Sequence, residues 1–76
     1  MTISKVKNYL SNLTGHITFE YNGHSCGIDP LALNSFDMWY DNDEATVDSV
    51  DEVLYNKFFD GKSLTEIWND VTELDF

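Results

Sequence analysis

Any chemistry in this chain has to come from its clustered polar side chains, and the densest cluster is acidic. Seven carboxylates lie between Asp37 and Glu52, half of the fourteen in the chain, with no Lys or Arg among them. Hard cations take oxygen ligands of this kind, and Asp41, Asp43 and Glu52 fall at the first, third and twelfth positions of a calcium-loop frame. The frame breaks at its centre. Ala45 stands at the fifth position, and Thr46 stands at the sixth, where a glycine makes the sharp turn. Glu52 has a simpler role as the residue that reaches back to a Ser49 helix cap. The acids therefore give no metal site.

His16, His24 and Cys26 are the only soft ligands. Structural zinc needs several such groups at fixed spacing, and no CxxC pair exists here. Cys26 as a nucleophile would need positive surroundings to form thiolate, whereas an acidic protein raises a thiol pKa. Asp41 and Asp43 could act as acid and base, but 76 residues leave little wall for a substrate cleft. Gly15, Gly23, Gly27 and Gly61 fall at turn or strand positions, not in a phosphate-cradling loop. The expectation is a protein that is not an enzyme and carries no metal or cofactor.

What remains is aromatic. Trp39 and Tyr40 stand inside the acidic run, and aromatic residues with a charged rim are the usual composition of interface anchors. Asp37, Trp39, Tyr40, Asp41, Asp43 and Glu44 are thus the expected partner-binding residues. Trp68 fits the apolar stripe of a helix and is expected in the core. Strand alternation sets Trp39 on the face away from Phe36, Met38 and Tyr40, so it is either covered by another element or exposed among acids.

Charge narrows the partner. The net charge is −10, and the four basic residues are all lysines. Without arginine, the bidentate phosphate and guanine contacts of nucleic-acid readers are missing, so no direct nucleic-acid binding is expected. A protein with a basic surface fits better. Acidity also keeps a small protein soluble. An alternative is a nucleic-acid mimic, whose carboxylates imitate a phosphate row and block a DNA- or RNA-binding protein.

These residues need elements to hold them. Ile3, Val6, Leu10 and Leu13 mark one face of a helix over 3–13, with Thr2 or Ser4 to cap it and Gly15 to end it. Ile17, Phe19 and Tyr21 then alternate with polar residues as a half-buried strand. Asn22-Gly23 is a hairpin signal, because both residues tolerate positive φ. Its two-residue loop sets Tyr21 opposite His24, Phe19 opposite Cys26 and Ile17 opposite Ile28. Asp29-Pro30 is expected to stop the second strand, since proline removes a ladder donor. Leu31–Ser35 is a connection, Phe36–Tyr40 a third strand, Asn42-Asp43-Glu44 a turn and Ala45–Val47 a short edge strand. Ser49 and Ser63 each open a capping box, with Glu52 and Glu66 three residues on. Val50, Val53, Leu54 and Phe58 stripe the first of the two helices, which Asp60-Gly61 closes. Leu64, Ile67, Trp68, Val71 and Leu74 stripe the second.

The runs Phe19–Gly23, Gly27–Pro30, Phe36–Tyr40, Val50–Val53 and Phe58–Leu64 cover most of the chain. In them the sequence resembles small acidic proteins of Gram-positive bacteria and their phages, a group with no assigned activity. The resemblance implies a cytoplasmic accessory protein and carries over no site residue.

The fold expected is a single α+β domain over residues 1–76. It has an N-terminal helix, a three- to four-stranded antiparallel sheet, and two C-terminal helices packed on one sheet face. No apolar run approaches the roughly 18 residues that span a membrane. Met1–Lys5 lacks the apolar core of a signal peptide, and one cysteine allows no internal disulfide, so the expected place is the cytoplasm. The expected function is a non-catalytic protein–protein interaction or regulatory module.

Overall fold

The computed structural model describes residues 1–76. Helix α1 spans Ile3–Ser11, and its N-cap Thr2 accepts from the Lys5 N–H at 3.3 Å. It ends sooner than the apolar spacing suggests. Asn12 caps it, and Leu13 takes a left-handed φ of 52° that a glycine would adopt more readily. Gly15 is not needed as the stop.

Strands β1 (Ile17–Tyr21) and β2 (His24–Ala32) form the expected hairpin. Asn22 and Gly23 both have positive φ, and the pairing is Ile17–Ile28, Phe19–Cys26 and Tyr21–His24. The second strand does not stop at Pro30. The Ser25 carbonyl accepts from the Asp41 N–H, so odd-numbered residues of β2 turn their backbone groups toward the third strand. Pro30, an even position, turns its ring nitrogen the other way, past the end of β1 at Ile17. The missing N–H falls where no ladder partner exists, and β2 runs on to Ala32.

Strands β3 (Ser35–Tyr40) and β4 (Asp43–Val47) complete a meander through a loop in which Asp41 has φ 53°. Asp43 and Glu44 belong to β4 and not to the turn. Helix α2 (Val50–Tyr55) starts at Ser49, which accepts from Glu52 N–H, while the Glu52 carboxylate accepts from Asp48 N–H. It stops at Asn56, and Asp60-Gly61 forms a tight turn between the bridged residues Phe59 and Lys62. That turn buries Phe59 completely and leaves Phe58 half-buried.

Helix α3 (Leu64–Ile67) opens on the full Ser63–Glu66 capping box. Its continuation is the main departure from sequence expectation. Trp68–Asp70 tightens to a 3₁₀ turn, and Thr72–Asp75 becomes strand β5 against β1. The spacing of Val71 and Leu74 satisfies a helix and a core-lining tail equally well. The outer edge of β1 needs hydrogen-bond partners, and the β-branched pair Val71-Thr72 favours an extended chain. Glu73 absorbs the register shift with φ 54°. The antiparallel sheet therefore has five strands, in the order β4-β3-β2-β1-β5.

The core lies on one sheet face only. Ile17, Phe19 and Tyr21, Cys26 and Ile28, Phe36 and Met38, and Val47 supply the strand side. Val6 and Leu10 of α1, Val53 and Leu54 of α2, and Leu64, Ile67 and Trp68 cover them from the other layer. Phe19 centres the aromatic packing, 5.7 Å from Phe59 and 6.1 Å edge-on from Trp68. Each fully buried large side chain of this kind stabilises the fold by about 1.5–3 kcal/mol. The other sheet face has no layer over it.

Candidate functional site

The open face can be read directly from the register. Residues 18 and 20, 25, 27 and 29, 37 and 39, and 44 and 46 alternate with the core positions and so point outward. One cross-strand row runs Asp75–Thr18–Gly27–Trp39–Glu44 over all five strands. A second row runs Asp29–Asp37–Thr46. Glu20 stands beside Thr72 and Ser25 in a third. This face has five carboxylates, from Glu20, Asp29, Asp37, Glu44 and Asp75, and no strand contains a Lys or Arg. Lys5 and Lys7 are on α1, and Lys57 and Lys62 lie in the segment between α2 and α3.

Trp39 is the one large aromatic on this face. Its indole lies across Gly27 of the neighbouring strand, so that a Cβ placed there would stand 2.1 Å from Cζ2 and 2.4 Å from Cη2. Gly27 is buried by that ring, and Trp39 itself is half-buried. A glycine inside a strand marks a close approach of this sort. The indole belongs to no aromatic cluster and stands outside the core. Its Nε1 has no acceptor in the protein and is open to solvent. Trp68 contrasts in every respect: it is buried in the core, and its Nε1 donates to the Met1 carbonyl at 2.8 Å.

Carboxylates occupy neighbouring positions on the same sheet face. Glu44 is directly opposite on β4, Asp37 is two residues back on the same strand, and Asp29 pairs with Asp37 across β2–β3. Cross-strand neighbours have Cβ atoms about 5 Å apart, and i, i+2 neighbours about 7 Å. Asp37 Oδ1 accepts from the Thr46 hydroxyl at 3.4 Å, which steadies one carboxylate of this like-charged pair.

The six residues expected to contact a partner therefore divide. Asp37, Trp39 and Glu44 share the open face. Tyr40 points to the other face, 6.4 Å from Phe59 and 5.1 Å from the His24 ring, where desolvation first of all raises its phenol pKa. Asp43 pairs with Tyr40 and is exposed at that same end. Asp41 turns to His24, with Oδ2 3.5 Å from Nδ1. The open face adds Gly27, Asp29, Glu20 and Asp75, which belong to other segments. The hairpin register was the signal for Gly27 and Asp29, since both fall on the odd positions of β2.

Other groups able to do chemistry are spread apart. Cys26 is fully buried, and burial above all pushes its thiol up to about 11. No group of three His, Cys, Asp or Glu side chains is placed to hold a metal ion. The surface has no pocket. No helix is long and apolar enough to cross a membrane. No family model, curated protein or solved structure matches the chain.

Proposed function

We propose that the protein is a non-catalytic interaction module that docks a basic protein surface on its open sheet face. The observation that carries this reading is the seating of Trp39. A half-exposed indole rests on Gly27 amid Asp29, Asp37 and Glu44, on a face without any cation. An apolar anchor inside a charged rim supplies both contact area and electrostatic steering. Asp41 and Asp43, at the end of the same hairpin, add to the negative field that a basic partner would meet.

A nucleic-acid mimic would show carboxylates in an even line. Here they share a sheet face with an aromatic ring, on its own strand and the two beside it, which favours docking of a protein. The resemblance to small proteins of Gram-positive bacteria and phages fits an accessory role in the cytoplasm.

Affinity capture with the wild type and with Trp39→Ala, eluted in a salt gradient, tests the reading. A basic partner held by the wild type and lost from a Trp39→Ala protein of unchanged circular dichroism is the expected result. Equal capture by both proteins would remove Trp39 as the anchor.

A further inference from the structure

Resting on the docking role proposed above, the chemistry of the contact can be made specific. We infer that the exposed side of the Trp39 indole is a platform for an arginine side chain from a basic segment of the partner. Its guanidinium would stack on the ring and donate to the carboxylates of Glu44 and Asp37.

Three observations converge on this. The ring is seated over β2, because Gly27 leaves it the space that any side chain there would fill. It is only half-buried and outside the core, and its Nε1 has no acceptor in the protein. The charged groups on its face, when ionised, accept and cannot donate: Glu44 is paired with Trp39 across β3 and β4, Asp37 is two residues along the strand, and Asp29 is opposite Asp37. A ring face attracts cations, and tryptophan does so best. Lysine could satisfy the charge, but a planar guanidinium stacks on a planar ring while its N–H groups reach carboxylates at the ring edge. No Lys of this chain lies in a strand and none pairs with these acids, so the site has no internal occupant. A second copy of this chain offers no arginine and meets its own charge of −10.

The test uses the full chain, labelled for NMR, and two blocked peptides of equal length and charge, one of arginine and glycine, one of lysine and glycine. At low salt the arginine peptide should bind about 3-fold tighter or more. The Trp39 indole N–H and the amides of Glu44 and Asp37 should shift most. Trp39→Ala should erase the difference between the peptides, and Trp39→Phe should keep part of it. Equal binding of the two peptides, unchanged in Trp39→Ala, would overturn the guanidinium platform and leave the acidic docking face standing. No binding of either peptide at low salt would overturn both. Because Trp39 is outside the core, circular dichroism of Trp39→Ala should match the wild type; if its signal collapses, Trp39→Phe takes its place in the comparison, and an arginine preference undiminished in Trp39→Phe would overturn the platform.

Discussion

The indole of Trp39 occupies the space where any side chain at residue 27 would stand: an added Cβ comes within 2.1–2.6 Å of three ring atoms. Sheet and anchor are thus fitted to each other through one missing methyl group. Gly27→Ala should swing the ring off the sheet while leaving the core on the opposite face intact. The expected cost is about 1–2 kcal/mol, at the low end for overpacking, because the displaced atoms end a side chain and are not backbone. Urea unfolding checks the stability. A red shift of Trp39 emission, read in a Trp68→Phe background, checks the ring.

Asp29 and Asp37 face each other across β2 and β3. Like charges directly opposite on a sheet destabilise it. Asp29→Asn should raise stability by about 0.5 kcal/mol at low ionic strength, and the gain should shrink in roughly 0.5 M salt, where screening acts within a few ångströms. Thermal melts at low and high salt decide it. A loss of stability in the Asp29→Asn protein would show that the carboxylate takes part in the fold.

Much of this arrangement was legible in the sequence where local rules and tertiary demands agree. Asn22-Gly23 dictated its own turn and, through it, the pairing of six residues. Ser49 and Ser63 capped the helices that follow them. The sequence rules misled where a partner strand decided the outcome. Pro30 was tolerated because β1 ends before reaching it, a fact about a neighbouring strand. Val71 to Leu74 have an apolar spacing that serves two structures, and the open edge of β1 selected the strand. The candidate site was half visible for the same reason. Asp37, Trp39 and Glu44 could be grouped from one hairpin, but Gly27 and Asp29 join them only when β2 is laid beside β3.

The Ser63 cap offers a pH test. Glu66 is held at about 2, first by its hydrogen bond with Lys57 and then by bonds from Ser63. A carboxylate with a lowered folded pKa contributes stability above its unfolded value of 4.5, and that contribution is lost as pH falls toward 2. Protonation of the other acids relieves repulsion over the same range, so the wild type alone will not show it. Glu66→Gln should differ from the wild type most above pH 4.5 and converge with it near pH 2. Ser63→Ala should cost about 1 kcal/mol, since it removes the acceptor for Glu66 N–H. A constant gap between wild type and Glu66→Gln across that range would show that Glu66 acts without its charge.

Cys26 should behave as core and not as a reagent. Its side chain is fully buried between β1 and β3, and its Sγ–H has only the His24 carbonyl as acceptor, at 3.5 Å. Burial foremost, with the negative charges of Asp41 and Glu20 also opposing ionisation, lifts the thiol to about 11. Two effects follow. At roughly pH 8, alkylation should be slower by about 100-fold or more than in urea-unfolded protein, because it must wait for the sheet to open. Stability should also decline as pH rises from the ordinary thiol value of 9 through 11, since the unfolded chain releases its proton first. Cys26→Ser should cost about 1–3 kcal/mol, because a hydroxyl placed there needs a better partner than a carbonyl at that distance. Rapid alkylation of the folded protein would mean that the hairpin opens easily at its centre, and the rigid seat for Trp39 on Gly27, one residue away, would be lost with it.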